Sequence, residues 1–305
     1  MKLLITGATG LVGGELVRIC REEGIPINYL TTRREKIENT ENYQGFYWNP
    51  DSGEIDPACF EGVTAIINLA GASVAKRWTK AHKEKILNSR IRSLKTLYAG
   101  LEEAKTAKIE TLVSASAIGI YPGSLTEYYT EDTNAKEAGF LGQVVEQWEG
   151  EILEFEKLDI RPVVVRIGLV LSEQGGALPQ MVKPVKNYVG AAMGSGEQWQ
   201  SWIHLEDLAR LFLFLTEKKL NGIFNGVAPN PVTNKRLTRE IAKVFERPLF
   251  LPNIPEFIMR LILGEMATIL FSSHRVSCQK AEKHGFNFHF QNICSALQDL
   301  HKRWQ

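Results

Sequence analysis

Short apolar runs alternate with helix-period segments through the first half of the chain. The runs are almost continuously apolar and fall at 2–6, 27–31, 65–69, 111–114 and 163–167. Amphipathic segments suited to helices lie between them, at 12–23, 80–104 and 143–157. Strands covered on both faces read as continuous apolar runs, so this alternation predicts βαβ units around a parallel sheet. We therefore expect an α/β fold with a Rossmann-type, doubly wound parallel sheet.

The rhythm changes after residue 171. A stretch rich in glycine and proline leads to a helical segment at 205–217 and a strand-like run at 222–227. Three helical pieces separated by proline and glycine follow, at 237–245, 255–271 and 293–303. This pattern predicts a smaller, mostly helical C-terminal lobe on the substrate side. We expect one domain from 1–171 and 205–228, and the lobe from 172–204 and 229–305.

Charge and composition narrow the function classes. Lys plus Arg number 36 against 35 Asp plus Glu, so the formal charge of +1 favours neither nucleic acid nor an anionic membrane as partner. The most apolar stretch is broken by Arg260, Gly264 and Glu265, which argues against a membrane span. The N-terminal residues lack signal-peptide features, so we expect a cytoplasmic protein. The four scattered cysteines predict neither a disulfide nor a metal site.

A glycine loop directly follows the first apolar run and opens an amphipathic segment. Its glycines are spaced G-x-x-G-x-x-G. Glycine permits the tight turn and the close backbone approach to a pyrophosphate, while the helix N-terminus offers free N–H groups to the anion. The loop therefore predicts a dinucleotide site, and its spacing resembles the extended branch of the short-chain dehydrogenase/reductase superfamily. The predicted contacts are Gly7, Thr9, Gly10, Leu11, Val12 and Gly13.

The end of the second apolar run indicates which dinucleotide binds. NAD-binding proteins usually place an acidic residue there, whereas cationic side chains can hold the extra phosphate of NADP. Here Thr32, Arg33 and Arg34 follow the run, and no acid precedes them at the tip. We therefore expect NADP(H) as the cofactor; the alternative is that both arginines are solvated loop charges.

Several further strings resemble one group, the atypical extended short-chain dehydrogenases/reductases described as NAD-dependent epimerase/dehydratase family proteins. Ile-Ile-Asn-Leu-Ala-Gly at 66–71 looks like the motif of the fourth strand. The resemblance continues through 76–79, 89–91, 114–119, 201–204 and 228–234, and through 263–266 and 285–286 of the C-terminal domain. It implies about seven strands and places Leu69, Ala70 and Gly71 beside the adenosine ribose. A homodimer is a further expectation.

The superfamily's usual acid–base pair is missing. Ordinary members carry Tyr-x-x-x-Lys, in which the lysine lowers the pKa of the tyrosine. At the expected helix start, the two registers that we considered place Phe140 and Val144, or Gly142 and Glu146, at these positions. The sequence therefore predicts that any chemistry here does not use the usual tyrosine.

Two hydroxyl groups remain as tentative catalytic candidates, Ser116 and Tyr121. Both follow the fifth run, at the sheet edge where open α/β sheets bind ligands. Strict counting back from Tyr121 puts Ala117 in the catalytic serine position, and one residue of loop slack would restore Ser116. Ser114 and Ser116 are also expected to contact the cofactor, and capping of the strand end is the alternative for Ser116.

The substrate cleft is predicted from residues after the fourth run and before the helical segment at 205–217. Lys76, Arg77 and Trp78 would border it, together with Trp202 and His204. The alternatives are a solvated helix start, a core tryptophan, and a histidine that orders its own helix entry. The predicted function is an NADP(H)-binding oxidoreductase or epimerase-like protein for an unknown small molecule. The rival hypothesis is a non-catalytic NADP(H) sensor or scaffold.

Overall fold

A parallel sheet forms the centre of the computed structural model, which describes residues 1–104 and 108–304. The described sheet has nine strands, of which the short Asn39–Thr40 and Glu54–Ile55 pair antiparallel and the other seven run parallel. The parallel strands are β1 (Leu3–Thr6), β2 (Ile27–Thr31), β3 (Tyr43–Asn49), β4 (Ala65–Asn68), β5 (Thr111–Ala117), β6 (Arg161–Ile167) and β7 (Gly222–Gly226).

Their order across the sheet is β3-β2-β1-β4-β5-β6-β7. The direction of winding therefore reverses between β1 and β4, which is the point where doubly wound sheets bind their ligands. The predicted fold class is confirmed.

Helices cover both faces of this sheet. On one face α1 (Leu11–Glu22) packs beside α5 (Leu205–Glu217), and on the other α2 (Lys80–Glu103) packs beside α3 (Phe140–Leu153). The remaining helices are α4 (Ala177–Lys186), α6 (Asn234–Val244), α7 (Glu256–Leu263), α8 (Thr268–Phe271), α9 (Gln279–Lys283) and α10 (Ile293–Arg303). The single helix predicted for 255–271 is divided because Gly264 adopts φ +63° and ends α7.

Strand β3 was not predicted from the sequence. Its residues read Tyr-Gln-Gly-Phe-Tyr-Trp-Asn, with Tyr43, Gly45 and Trp48 buried and Gln44 exposed, so no continuous apolar run marks it. Gly45 is required there because a Cβ atom would lie 2.5 Å from the Tyr29 hydroxyl. The strand nevertheless pairs with β2 over its first five residues and extends the sheet.

A second hydrophobic cluster lies apart from the core around the sheet. It joins α4, α6 and α10, with the fully buried Trp202 among its members. Although residues 276–288 are part of the C-terminal region, their apolar side chains pack in the core around the sheet and not in this second cluster. Among the described helices, none is both long and apolar enough to cross a membrane.

Candidate functional site

The glycine loop forms a close-packed cradle between β1 and α1. Gly7 has φ +71°, and a Cβ there would lie 2.9 Å from the Leu69 carbonyl carbon. A Cβ on Gly13 would lie 2.1 Å from the Gly7 oxygen, so this glycine allows the helix to meet the turn. Gly10 begins α1 without a side-chain cap, which leaves the first N–H groups of the helix without a side-chain partner. These features fit the pyrophosphate of a dinucleotide.

Hydrogen bonds fix the end of β4 against this cradle. The Thr6 hydroxyl donates to Asn68 Oδ1 (2.7 Å) and accepts from the backbone N–H groups of Leu69 and Ala70 (3.1 Å each). Asn68 Nδ2 donates in turn to the Ser114 hydroxyl at 2.9 Å. Ser114, predicted as a cofactor contact, is thus a buried link between strands, and Leu69 and Ala70 lie beside the glycine turn.

The two arginines at the tip of β2 have different surroundings. The Arg34 guanidinium stacks over the Tyr47 ring at 3.7 Å from its centroid and lies 3.6 Å from Glu54. The exposed Arg33 side chain has no ion-pair or hydrogen-bond partner within residues 1–104 and 108–304. Thr32 next to it is also exposed. Arg33 is therefore the cation available to an additional phosphate.

A cavity of about 270 Å³ opens at the carboxyl ends of β5 and β6. Its wall is mostly aliphatic and includes no Asp, Glu, Lys or Arg side chain. The lining residues come from eight parts of the chain: Val74, Ala117–Gly119, Leu141, Val145, Ile167–Leu169, Ala177, Met181, Trp199–Ser201, Asn234, Ile269, Leu270, Ser272 and His274. The cavity thus lies between the sheet edge and the C-terminal region, and it suits an uncharged molecule.

Helix α3 presents two aliphatic residues to this cavity. They are Leu141 and Val145, one turn apart, which is the spacing of the usual tyrosine and lysine. Neither register considered from the sequence selected this pair. Like those registers, it provides no phenol or ammonium group.

The hydroxyl groups of Ser116 and Tyr121 lie in a buried polar network, which we name the Arg166 network. Arg166 donates to both oxygens of Glu149 (2.8 Å each) and to the Tyr121 hydroxyl (3.0 Å). Ser116 donates to Glu149 at 2.7 Å, and Tyr121 donates to Asn225 at 2.8 Å. Burial opposes the charge on Arg166, but the hydrogen bonds and charge of Glu149 outweigh it and raise the pKa of the guanidinium.

The sheet register explains why the Arg166 network faces away from the cavity. Ser116, Arg166 and Asn225 occupy one row across β5, β6 and β7, and the next row holds Ala117 and Ile167, which line the cavity. Successive side chains point to opposite faces of a sheet. Ala117 therefore stands at the cavity, as strict counting indicated, and Ser116 does not.

The tentative catalytic roles of Ser116 and Tyr121 receive no support from this geometry. Both side chains are at most 2% exposed. Burial raises the pKa of the Tyr121 phenol despite the nearby Arg166, whereas an acid–base tyrosine needs a lowered pKa. Both hydroxyls act as internal hydrogen-bonding groups that fix the end of β5.

The segment after β4 borders the cavity through a residue that was not predicted. Val74 lines the wall, whereas Lys76 and Arg77 are exposed. Trp78 donates to the Val74 carbonyl (3.0 Å) and packs edge-on against Phe140. Trp78 therefore supports Val74 from behind, and the two cations do not reach the cavity.

Trp202 and His204 also lie outside the cavity, as the alternatives in the sequence analysis allowed. Trp202 is fully buried and donates to the Asn230 carbonyl at 2.9 Å. His204 accepts from the Glu206 N–H at the start of α5 and stacks on Phe290. The three residues before Trp202, namely Trp199, Gln200 and Ser201, reach the cavity instead.

The cavity contains one titratable side chain, His274, which sequence reasoning missed. Its Nε2 lies 2.9 Å from the Tyr121 carbonyl oxygen. Burial lowers the pKa of this imidazole, so the ring is neutral at pH 7. No motif marks the string Ser-Ser-His-Arg that contains it.

Comparison with known sequences identifies the family of this chain. A family model described as NAD dependent epimerase/dehydratase matches residues 3–225, and a domain of unknown function matches residues 254–300. The chain belongs to the NAD-dependent epimerase/dehydratase family. An epimerase family protein of Staphylococcus epidermidis is 37% identical over 302 residues, which cover 99% of each chain. One from Staphylococcus aureus is 38% identical over 300 residues, 98% of each. The predicted family membership is confirmed.

Solved structures of family members share the whole fold. A human epimerase family protein crystallised with NADPH superposes with a TM-score of 0.84 at 25% identity and covers 99% of both chains. A nucleoside-diphosphate sugar epimerase from Corynebacterium glutamicum gives a TM-score of 0.77 at 25% identity, covering 98% of this chain and 58% of that one. These similarities extend through the C-terminal region that forms the far wall of the cavity.

Proposed function

We propose that this protein is an NADP(H)-dependent oxidoreductase that acts on a small, uncharged and mostly apolar alcohol or carbonyl compound. The observation that carries the proposal is the position of an apolar cavity beside a dinucleotide cradle. Gly176 lies against Leu11 of the cradle, and the next residue, Ala177, lines the cavity. A ligand in the cavity would therefore lie close to a dinucleotide bound on the glycine loop.

Arg33 and Arg34 support NADP(H) as the cofactor. Arg33 offers an unpaired guanidinium for the additional phosphate, and Arg34 is held flat on Tyr47 at the same strand tip. The human relative was crystallised with NADPH. When bound, the nicotinamide would supply or accept a hydride; the protein's part is to position the ligand and exclude water.

The cavity argues for a substrate smaller and less charged than a nucleotide sugar. Its volume of about 270 Å³ lies near the lower end of small-molecule pockets, which span roughly 300–1,000 Å³. Its wall has no cation to balance a diphosphate. Because Leu141 and Val145 also replace the acid–base pair, we expect epimerisation of UDP-sugars to be slow or absent.

The same two residues favour a second candidate, the non-catalytic NADP(H) sensor or scaffold. A site that moves no hydride has no need of a phenol and an ammonium group near the nicotinamide, and Leu141 and Val145 provide neither. In that case NADPH would bind without turnover of any small alcohol or carbonyl compound. The expected cytoplasmic location and homodimer stay predictions for either candidate.

Cofactor titration of the full chain tests the first half of the proposal. NADPH is expected to bind more tightly than NADH, and Arg33→Ala should cut that preference about tenfold because one charge-assisted phosphate contact is lost. Arg92→Ala is the matched control, since Arg92 is an exposed arginine that already pairs with Asp51. Equal affinity of the parent protein for the two cofactors would contradict the NADP(H) assignment.

Turnover distinguishes the two candidate functions. Purified protein is incubated with NADPH and a panel of cyclic and branched ketones, or with NADP⁺ and the matching alcohols, and cofactor absorbance is followed. Oxidation of NADPH by a member of the panel supports the oxidoreductase. Tight NADPH binding with no turnover across the panel would favour the sensor or scaffold.

A further inference from the structure

His274 is placed to interact with whatever occupies the apolar cavity. It lies just after α8, and its ring forms part of the cavity wall. The Ser201 hydroxyl donates to its backbone carbonyl at 2.8 Å, and its N–H donates to the Trp199 carbonyl at 3.1 Å. Both ends of the residue are therefore anchored, so the imidazole has a defined position in the wall.

The protein also determines which ring nitrogen carries the proton. Nε2 lies 2.9 Å from the backbone oxygen of Tyr121, and a carbonyl oxygen can only accept a hydrogen bond. Nε2 must therefore be protonated in the neutral ring, which leaves a lone pair on Nδ1. Nδ1 has no hydrogen-bond partner among residues 1–104 and 108–304.

Other polar groups in the wall offer less. The hydroxyls of Ser201 and Ser272 already donate to backbone carbonyls, at 2.8 Å in each case. Asn234 Oδ1 accepts from the Met193 N–H, and the Gln200 amide carries no dissociable proton at ordinary pH. His274 alone among the cavity's side chains can take up and release a proton.

We propose that Nδ1 of His274 anchors the hydroxyl group of a small, uncharged alcohol in this cavity and accepts its proton. The inference rests on the proposed function, which supplies the cofactor and the substrate class. It assigns the proton transfer to the C-terminal region rather than to α3, where the family's usual tyrosine would stand. Burial, which keeps the ring neutral, leaves Nδ1 in the accepting form. Glu137 is the carboxylate whose charge favours the protonated ring once the proton has moved.

The reaction balances with the cofactor as oxidant. The O–H bond of the alcohol breaks and its proton goes to Nδ1. The C–H bond of the carbon that bears the hydroxyl also breaks, and the hydrogen leaves with the electron pair as hydride to bound NADP⁺. The alcohol thereby becomes a carbonyl compound. The imidazolium then returns its proton to water. In the reverse direction the protonated Nδ1 supplies the proton to the carbonyl oxygen.

Binding to the NADPH-loaded protein tests the inference without turnover, because a reduced cofactor cannot oxidise an alcohol. Cyclohexanol and menthol are titrated calorimetrically, each against its methyl ether, which has a similar shape but no O–H donor. We expect each alcohol to bind about five- to tenfold more tightly than its ether, the value of one hydrogen bond. In ¹⁵N-histidine-labelled protein, the resonance of the unprotonated His274 nitrogen should shift with cyclohexanol and not with the ether.

Three variants locate the acceptor. His274→Gln keeps a donor for the Tyr121 carbonyl but has no basic nitrogen, so alcohol-dependent reduction of NADP⁺ should fall about 10²- to 10⁴-fold. His289→Gln is the matched control, since His289 pairs with Glu206 outside the cavity, and it should behave as the parent does. Gln200→Met should leave the preference in place.

The outcomes separate the inference from the proposed function. Equal affinity for alcohols and ethers, or no binding of either, would overturn the role of His274 while NADPH binding still supports the cofactor assignment. Loss of the preference in Gln200→Met would also overturn it, because recognition would then belong to the amide, and so would unchanged reduction of NADP⁺ in His274→Gln. Failure of the parent protein to bind NADPH would remove the proposed function itself.

Discussion

Glu149→Gln should be one of the most destabilising single changes available in this chain. Arg166 is 6% exposed and is bonded by Glu149 through two parallel contacts of 2.8 Å. Glutamine has nearly the same shape but removes the negative charge, and its amide turns a donor toward the guanidinium or toward Ser116. The variant therefore leaves a buried cation without its counterion while the surrounding volume is unchanged.

The energy of an unpaired buried charge sets the expected size of the loss in unfolding free energy. Removing one partner of a buried ion pair typically costs about 3–5 kcal/mol, because the remaining charge is left unpaired in a poorly solvated site. The Ser116 bond to Glu149 contributes roughly 1 kcal/mol more if it is lost. Replacing both charges by apolar residues, in Glu149→Leu with Arg166→Met, should cost less than the sum of the two single changes by about 2 kcal/mol or more.

Denaturant unfolding followed by tryptophan fluorescence measures these differences, with the chain's two-state behaviour checked by a second probe. Glu151→Gln is the control on the same helix, because Glu151 pairs with the exposed Lys95 at 3.3 Å and such pairs contribute about 0–1 kcal/mol. A loss below about 1 kcal/mol in Glu149→Gln, or strict additivity in the double variant, would refute the reasoning.

Two other changes test the cradle and a partly buried acid. Gly10→Val should abolish NADPH binding because its side chain would enter the space that the pyrophosphate needs, and it should leave the fold intact because Gly10 has an extended backbone (φ −85°, ψ 179°) that valine adopts readily. NADPH fluorescence enhancement measures binding and circular dichroism measures folding, with Gly14→Ala as the control. Fluorescence enhancement that survives in folded Gly10→Val would place the dinucleotide elsewhere. Burial raises the pKa of Glu131, so its stabilising contribution is complete below its ordinary pKa and is lost as the pH rises through the raised value. In Glu131→Gln the side-chain oxygen can still accept the hydrogen bond from the Asn225 N–H. The variant should therefore unfold at a higher temperature than the parent at pH 7 and lose this advantage below about pH 4. A lower melting temperature than the parent at pH 7 would contradict the direction of the effect.

The sheet and its glycine turn could be predicted because their signals are local. Buried parallel strands are continuous apolar runs, and a Cβ atom at Gly7 or Gly13 would clash with the backbone of the turn. Strand β3 was missed because it is only partly covered, with Gln44 exposed and Phe46 and Tyr47 half-buried, and because Gly45 interrupts its apolar residues. Whether a strand could be predicted from the sequence therefore depends on how fully its two faces are covered.

The chemistry of the site could not be predicted because it depends on pairing between distant residues. The side chains of Tyr121 and Asn225 are hydrogen-bonded although 104 positions separate them in the sequence, and only the sheet register brings them together. The same register decides that Ala117 rather than Ser116 faces the cavity, a difference of one residue that counting could not settle. His274 lies 153 positions from the carbonyl that fixes its tautomer, so no spacing rule would have selected it.

Two separate parts of the chain form opposite sides of the cavity, so one side can change in evolution while the other is kept. The glycine turn and the strand tips belong to the first 226 residues, whereas Ile269, Leu270, Ser272 and His274 form the opposite wall. Replacements in this later segment can reshape what fits in the cavity without disturbing the glycine turn. Under the proposed function, duplicated copies of such a gene could therefore acquire new substrates through changes in about fifty C-terminal residues, while each copy keeps the same cofactor.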